Sequence, residues 1–316
     1  MDINILLAGN DTYSFGTNVF VISLLENSKN RPVHIYFMYN DFSAGNQQRL
    51  KKTVTRYTGC AIDFVYIEKD IFSDVPLEAI TNKYITVETY FRMAMSEVLP
   101  ENIDRILYLD TDIIVNKDYL DFYDMEFGED IVAYVCQDYG LVMNDKVRKN
   151  VYHNLSFDET DLYFNAGVLL LNMKNIRRHF TLDIFKEYIL NNYNKLIFHD
   201  QDVLNKLFKG KVEYVDYNLY NCRPFYYPYS KAYNKKIVKN AVIIHYGEKP
   251  WNADFTDLAG ELFWKYALIG NYTEEHSSWL EDNKKYKSKN RMKIAIKIIK
   301  RNVKALIMKL DKGKSA

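Results

Sequence analysis

The stretch Arg105-Ile-Leu-Tyr-Leu-Asp-Thr-Asp-Ile-Ile-Val115 decides how the rest of the chain is interpreted. Its short apolar run, bounded by charged residues, is typical of a strand that is covered on both faces of a sheet. Asp110 and Asp112 are two residues apart, so on extended backbone both carboxylates point to the same side. Two like charges this close repel each other, and a divalent cation between them removes that cost. The alternative is that both aspartates are solvated turn residues at the end of the strand.

Carboxylate oxygens are ligands that suit Mg²⁺ or Mn²⁺, and these ions commonly keep coordination positions for substrate phosphates. The stretch therefore predicts a divalent metal site at the end of a buried strand.

The composition is that of a soluble globular protein, with 316 residues of which 48% are hydrophobic and 26% are charged. The length allows one large domain or two smaller ones. The net charge of +1 is unevenly distributed, because residues 284–316 contain thirteen Lys and Arg against one acid, whereas the preceding 283 residues contain 29 basic and 40 acidic side chains. The acidic body argues against nucleic acid as a partner, and the basic tail favours an anionic surface.

The sequence predicts a cytoplasmic protein. Its three cysteines, Cys60, Cys136 and Cys222, are too few and too scattered for a zinc site or a disulfide framework. Met1 is followed by an acid and a strand-like run, which is not the pattern of a secretory leader. No apolar segment has the length that is needed to span a bilayer.

Hydrophobic patterning predicts an α/β fold, with a single Rossmann-like mixed sheet flanked by helices. We expect strands at residues 2–8, 33–38, 61–67, 106–109, 131–136, 163–172, 212–215 and 241–245. We also expect one helix that ends at residue 25 and further helices at residues 43–57, 86–99, 181–193 and 200–208. The Gly-containing loop at residues 9–16 lies where such sheets bind ligands. It lacks the three-glycine dinucleotide fingerprint, which argues against NAD.

Residues 217–229 are rich in Pro and Asn, which predicts irregular structure. The six aromatic side chains of this loop could stack on sugar rings, or they could pack back onto the core.

Four separated motifs resemble, in this order, those of glycosyltransferase family 8. They are Tyr108-Leu-Asp-Thr-Asp-Ile113, Phe164-Asn-Ala-Gly-Val-Leu-Leu170, His199-Asp-Gln-Asp-Val203 and His245-Tyr-Gly-Glu-Lys-Pro-Trp251. The resemblance implies a GT-A fold and a retaining transferase that uses a UDP-sugar with Mn²⁺. Asp110 and Asp112 match the family's metal-binding pair, and His245 matches its third protein ligand. Without the motif, His245 would be interpreted as a structural histidine at the end of an apolar strand.

The resemblance also implies the donor-binding residues. Ala8 and Tyr13 match the groups that hold uracil, and Asn10 stands where the family usually has an acid. Lys249 matches the family's diphosphate lysine, although the loop that carries Gly247 is shorter here than in the family. The full donor-binding set is Ala8, Asn10, Asp11, Tyr13, Arg92, Asp110, Thr111, Asp138, Asn165, Asp200, Gln201, Gly247 and Lys249.

Arg92, Asp200 and Gln201 are the expected catalytic residues. The residue that aligns nearest to the anomeric carbon is Gln201, whose amide is a poor nucleophile, and a double displacement would need a carboxylate. The resemblance therefore favours same-face attack by the acceptor hydroxyl as UDP departs. The simpler interpretation of Asp200 and Asp202 is acidic capping in the first turn of a helix, and for Asp202 this is the one we adopt.

The tail at residues 284–316 has apolar residues at three- and four-residue steps with lysines between them, which is typical of a helix in a membrane interface. The alternative is a helix packed on the acidic body. We expect a GT-A catalytic domain at residues 1–270, a basic amphipathic tail at 271–316, and peripheral association with the inner face of the cell membrane.

The functional prediction is transfer of galactose or glucose from a UDP-sugar to a sugar hydroxyl of a cell-surface glycan, such as lipopolysaccharide. Two alternatives are a sugar-nucleotide or glycan-binding protein without turnover and a metal-dependent phosphohydrolase that uses the same carboxylates. Either alternative would retain the same fold.

Overall fold

A computed structural model describes residues 2–72, 74–75 and 87–312. Within them the strands are β1 Ile3–Ala8, β2 Val33–Tyr39, β3 Ala61–Tyr66, β4 Arg105–Leu109, β5 Ile113–Val115, β6 Ala133–Gln137, β7 Phe164–Asn172, β8 Val212–Val215 and β9 Ile243–His245. The helices are α1 Ser14–Glu26, α2 Ala44–Val54, α3 Met95–Val98, α4 Leu120–Tyr123, α5 Tyr139–Val142, α6 Asp145–Leu155, α7 Met173–His179, α8 Leu182–Asn192, α9 Asp200–Leu207, α10 Tyr217–Tyr220, α11 Lys231–Asn240, α12 Gly260–Ile269, α13 Thr273–Lys289 and α14 Arg291–Lys312.

The chain divides into two compact units. The first unit contains the residues up to Ser14 together with Asn30–Thr111 and Leu120–Asp216. The second contains Phe15–Lys29, Asp112–Tyr119 and the chain from Tyr217 onward. The division into residues 1–270 and 271–316 stays a prediction.

The first unit is built on a mixed sheet with the strand order β3-β2-β1-β4-β7-β6-β8. Strands β1 to β4 run parallel, β7 pairs antiparallel with both β4 and β6, and β8 is parallel to β6. The central strand β4 has buried apolar side chains from Ile106 to Leu109, because helices and loops cover both faces. The expected α/β fold with one mixed sheet is confirmed for the first unit.

The second unit has its own small sheet, in which β5 and β9 pair antiparallel and place Ile113 opposite His245. Its apolar core is formed by residues of α1, β9, α12 and the segment between β9 and α12. The sequence predicted one strand from residue 241 to 245, and in the structure β9 begins at Ile243 because Ala241 ends helix α11 as its C-cap.

Two other expectations differ in detail from the structure. The helix expected at residues 86–99 is a 3₁₀ helix over Val87–Ala94 followed by α3, and Thr86 lies outside the described residues. The segment 217–229, expected to be irregular, contains α10 and a 3₁₀ turn at Pro224–Tyr226. Of its aromatic residues, Phe225 and Tyr227 pack against the core of the second unit, as the second alternative for this loop proposed.

The basic tail is helical, and one face of α14 contacts other parts of the second unit. Arg301 pairs with the buried carboxylate of Asp257 and donates to the backbone oxygens of Tyr227, at 2.6 Å, and Pro224. Asn302 accepts a hydrogen bond of 2.7 Å from the amide of Tyr229. The apolar side chains of another face are 47–78% exposed, namely Met292, Ile296, Ile299, Val303 and Leu306. In the described part of the chain, no helix is both long enough and apolar enough to cross a membrane.

Candidate active site and metal centre

Asp110 is held at the end of β4 by Arg92 and Tyr108. The guanidinium of Arg92 is buried and donates to Oδ1 of Asp110 at 3.1 Å, and the Tyr108 hydroxyl donates to the same oxygen at 2.8 Å. Arg92 lies over the Tyr108 ring, 4.2 Å from its centroid, and also donates to the backbone oxygen of Ala166 at 2.5 Å. These contacts fix the direction of the Asp110 carboxylate.

Asp200 is the second carboxylate at Arg92, with Oδ2 3.3 Å from Nε of the arginine. It is only 6% exposed. Burial raises the pKa of Asp200 from its ordinary 3.8 to about 6, although the charge of Arg92 opposes that rise. The Arg92 guanidinium therefore holds two acids, and ionisation of Asp200 costs free energy at neutral pH.

We expect Asp200→Asn to make the ligand-free protein more stable than the wild type at neutral pH. Because the folded-state pKa lies above 3.8, the contribution of Asp200 to stability is fully present below pH 4 and is lost as the pH rises through about 6. The advantage of the variant should grow between these pH values and then level off at about 3 kcal/mol. Urea unfolding at pH 4, 5, 6 and 7 measures the free energy of unfolding of the variant and of the wild type. A difference between the two that stays constant over that range would contradict the assigned pKa.

His199, which precedes Asp200, has a strained backbone with φ 52° and ψ −116°. Such a conformation is rare for a residue with a side chain and costs of order 1–3 kcal/mol. The His199 ring is buried, and among the described residues its Nδ1 has no hydrogen-bond partner. The strained residue turns the chain sharply into α9, so that Asp200 and Gln201 open the helix.

The side-chain amide of Gln201 is held by four hydrogen bonds. Its Oε1 accepts from Nδ2 of Asn165 and from the amide of Ala166, both at 3.0 Å. Its Nε2 donates to Oδ2 of Asp138 at 3.1 Å and to the Tyr163 hydroxyl at 3.2 Å. Asn165 also donates to Oδ2 of Asp138 at 3.1 Å. The structure thus brings Asp138, Asn165 and Gln201 together, as the sequence predicted.

Asp202 lies in the first turn of α9, as expected, but its partners lie outside that helix. It is 1% exposed and accepts hydrogen bonds from the Tyr163 hydroxyl at 2.6 Å and from the amides of Ile197 and Phe198 at 2.6 and 2.7 Å. These bonds fix the turn before α9.

The first loop of the candidate donor site follows β1, which ends at Ala8. Asn10 caps the 3₁₀ turn Asp11–Tyr13 by accepting from the amide of Thr12 at 3.1 Å. Asp11 accepts from the amide of Ser43 and from Nδ2 of Asn46, both at 2.8 Å. Burial would raise the pKa of Asp11, but these hydrogen bonds outweigh it and lower the pKa. Asp11 therefore anchors the loop.

Two further residues of this region lie in the first unit. Tyr13 ends the 3₁₀ turn and is half-buried, and Thr111 is buried directly after Asp110. A Cβ on Gly9 would touch the Thr111 methyl at 3.6 Å, which places this glycine next to the Asp-Thr-Asp sequence.

In the second unit, Asp112 faces His245, with Oδ1 3.2 Å from Nε2 of the ring. The other ring nitrogen, Nδ1, lies 2.9 Å from Oδ1 of Asn221, whose side chain is buried. When Nδ1 donates its proton to Asn221, Nε2 presents a lone pair towards a carboxylate oxygen. Two acceptors at this distance need a proton or a cation between them, and metal-binding histidines are commonly oriented in this way by an oxygen at the second nitrogen.

The three expected ligands are divided between the two units. Asp112 and His245 face each other in the second unit, and Asp110, at the end of β4 in the first unit, precedes Asp112 by two residues in the chain. Two carboxylates and an imidazole are a donor set that fits a divalent cation such as Mn²⁺. Burial alone would raise the pKa of Asp112, but His245 and Arg223 lower it, so the carboxylate is ready to bind a cation.

Lys249 and Gly247 lie after β9 in the second unit. Burial lowers the pKa of Lys249, and the negative charge of Asp112 opposes that shift. Gly247 has φ +66°, and a Cβ at this position would clash with the guanidinium of Arg223. Both the backbone conformation and the arginine therefore require glycine here.

Tyr108, Tyr163, Asn221 and Arg223 are among the residues of these networks that sequence reasoning missed. Tyr108 could have been found, because it is two residues before Asp110, at the end of β4, and so faces the same side. Tyr163, Asn221 and Arg223 are far in sequence from the groups they contact, and no local pattern indicates the contacts.

The mixed α/β sheet with an Asp-x-Asp sequence after its central strand is similar to the fold of a solved galactosyltransferase, which is the GT-A class. Residues 4–254 match the family described as glycosyl transferase family 8. The chain belongs to glycosyltransferase family 8.

Known relatives agree with this assignment. The chain is 25% identical over 271 residues to general stress protein A of Bacillus subtilis, covering 80% of this chain and 88% of that protein. It is 24% identical over 260 residues to the lipopolysaccharide 1,3-galactosyltransferase of Salmonella typhimurium, covering 79% and 73%. Among solved structures it is similar to the galactosyltransferase LgtC in complex with donor and acceptor sugar analogues, with a TM-score of 0.71, 25% identity and coverage of 84% of this chain and 95% of that chain. The GT-A fold is thereby confirmed.

Proposed function

We propose that the protein is a retaining, Mn²⁺-dependent hexosyltransferase that moves galactose or glucose from a UDP-sugar to a sugar hydroxyl of a cell-surface glycan. The observation that carries this proposal is the pair of Asp112 and His245, preceded in the chain by Asp110, in a member of glycosyltransferase family 8. The choice of sugar and acceptor is supported by relatives that are lipopolysaccharide galactosyl- and glucosyltransferases.

Asp110, Asp112 and His245 would hold the Mn²⁺, with Mg²⁺ as an alternative, and the ion would supply positive charge for the diphosphate. Lys249 binds the diphosphate and offsets the charge that grows on UDP as it leaves. In the nucleotide loop, Ala8, Asn10 and Tyr13 bind uracil, whereas Asp11 holds the loop in place through Ser43 and Asn46.

Arg92, Asp138, Asn165, Asp200 and Gln201 bind the hydroxyls of the donor hexose. Carboxylates, amides and a guanidinium suit this role, because together they both donate and accept hydrogen bonds. These side chains are already held in two groups, Arg92 with Asp200 and Asp138 with Asn165 and Gln201, so little ordering would be needed when the sugar binds.

The acceptor hydroxyl attacks the anomeric carbon on the face from which UDP departs, and the leaving phosphate takes its proton. Two observations support this route over a covalent intermediate. Gln201 offers an amide that is a poor nucleophile and is held by four hydrogen bonds. The Asp200 carboxylate is paired with Arg92, which reduces its nucleophilicity. A glycosyl adduct trapped on Asp200 or Gln201 in the wild-type enzyme would contradict this route.

A donor screen tests the proposed function. The purified chain is incubated with Mn²⁺, a lipopolysaccharide-derived glycan acceptor and each UDP-sugar in turn, and UDP release and the anomeric configuration of the product are measured. We expect UDP-galactose or UDP-glucose to give acceptor-dependent UDP release and an α-linked product. UDP release that gains nothing from an acceptor would instead indicate a phosphohydrolase, and binding without release would indicate a protein without turnover.

The domain at residues 1–270 would carry the chemistry, and residues 271–316 would hold the protein peripherally on the cytoplasmic face of the cell membrane. Support comes from the exposed apolar side chains of α14 and the lysines between them, each of which contributes about 1 kcal/mol near an anionic surface. The contacts of Arg301 attach the helix without covering these side chains.

We expect the wild-type protein to sediment with vesicles that contain anionic phosphatidylglycerol and to sediment less with phosphatidylcholine vesicles. A variant of α14 replaces its exposed apolar residues by Gln, namely Met292, Ile296, Ile299, Val303 and Leu306. Gln keeps a high helix propensity, and the variant should bind vesicles at least about tenfold more weakly. The matched control replaces Leu190 and Leu268, which are exposed elsewhere, and should bind as the wild type does. Equal vesicle binding by the wild type and the α14 variant would contradict the membrane proposal.

A further inference from the structure

Arg223 is placed by the segment that supports the metal-binding histidine. Its neighbour Cys222 pairs with β9, since Cys222 donates its amide to Ile243 at 3.0 Å and accepts from the amide of His245 at 2.9 Å. The residue before that, Asn221, holds the His245 ring. The backbone of Arg223 is therefore in register with the strand that ends at His245.

The side chain of Arg223 reaches the loop that follows β9. Its Nη2 occupies the space where a Cβ of residue 247 would stand, so the guanidinium lies directly against the Cα of Gly247. On another side, the guanidinium carbon lies 5.5 Å from the centroid of the Tyr226 ring. An anion that approached the backbone of Gly247 from this side would meet the guanidinium.

The position of Arg223 relates it to the proposed metal site. Its guanidinium lies against Gly247, two residues after the proposed ligand His245, and Lys249 follows two residues later. Two cationic residues are thus placed at the loop that leads away from His245. A diphosphate carries more than one negative charge, which two cationic side chains can neutralise.

We propose that Arg223 is a diphosphate-binding residue, which takes the position that the resemblance assigned to Gly247 and binds the nucleotide together with Lys249. This inference rests on the proposed function, because it presumes a nucleoside diphosphate at the metal site. A guanidinium suits the role, since its planar fork donates two parallel hydrogen bonds to phosphate oxygens. Gly247 contributes by leaving room for the arginine.

Titration calorimetry with UDP and with uridine, both in Mn²⁺, tests the inference. Arg223→Met should weaken UDP binding by about 10- to 100-fold and leave uridine binding unchanged, because only the diphosphate contacts are lost. Arg223→Lys keeps the charge without the fork and should fall between the wild type and the Met variant. Gly247→Ala keeps the arginine but displaces it, and should also weaken UDP binding more than uridine binding.

Arg148→Met is the matched control, since it removes an arginine that pairs with Asp145 on an exposed part of α6. It should bind UDP as the wild type does. Unchanged UDP affinity in Arg223→Met, or equal losses for UDP and uridine, would overturn the role of Arg223 and leave the proposed function intact. A wild-type protein that binds no UDP in Mn²⁺ would overturn both.

Discussion

Asp112→Asn is expected to lower kcat/KM for sugar transfer by at least about 1000-fold. The variant loses a negatively charged ligand of the cation that must neutralise the diphosphate. Mutating a group that only orients a metal ligand already lowers metal affinity or activity by about 10- to 100-fold, so the loss of a ligand itself should be larger. Asn is close to Asp in shape, and His245 keeps its bond to Asn221, so the fold should be preserved. Initial rates of UDP release with a saturating acceptor measure the effect.

Asp63→Asn is a matched control for this variant. Asp63 also pairs with a histidine, because its Oδ2 lies 2.8 Å from Nε2 of His34, but Asp63 is exposed on the edge strand β3. The control should transfer sugar at the wild-type rate. Near-normal transfer by Asp112→Asn would refute the assignment of Asp112 as a metal ligand.

Arg92→Met should reduce both stability and transfer. The wild-type guanidinium is buried between Asp110 and Asp200, and removing one partner of such a group costs about 3–5 kcal/mol because uncompensated charge is left in the interior. Met fills a similar volume, so the loss is mainly electrostatic. Because Asp110 loses the group that fixes its direction, transfer should fall by at least about 100-fold.

Urea unfolding at pH 7 measures the stability change, with Arg148→Met again as the control. Exposed ion pairs contribute about 0–1 kcal/mol, so the control should lie close to the wild type. Adding Asp200→Asn to Arg92→Met removes one of the two uncompensated acids and should recover part of the loss. An Arg92→Met variant whose free energy of unfolding lies within 1 kcal/mol of the wild-type value would contradict the electrostatic role given to Arg92.

Local patterns predicted the mixed sheet of the first unit because they report burial directly. The apolar run before Asp110 predicted β4, and the alternation of strands and helices predicted the mixed sheet. The resemblance then located the residues that the structure brings together, such as Gln201 with Asn165 and Asp112 with His245.

The remaining features depend on tertiary contacts that no local pattern encodes. The pairing of β5 with β9 joins segments about 130 residues apart, and Asn221 contacts the His245 ring across 24 residues. Val87–Ala94 forms a 3₁₀ helix from which Arg92 contacts Ala166 and Asp110. The hydrophobic pattern of this segment does not distinguish a 3₁₀ helix from an α-helix. Likewise, the basic pattern of the tail does not reveal that Arg301 is buried against Asp257.

The binding of UDP to the wild-type chain with and without Mn²⁺ tests the central claim most directly, because that claim joins the metal to the diphosphate. Calorimetric titration should show one UDP per chain when Mn²⁺ is present and at least about tenfold weaker binding after chelation of the metal, with the Mn²⁺ dependence lost in His245→Ala. UDP that binds equally well with and without the metal would contradict the account.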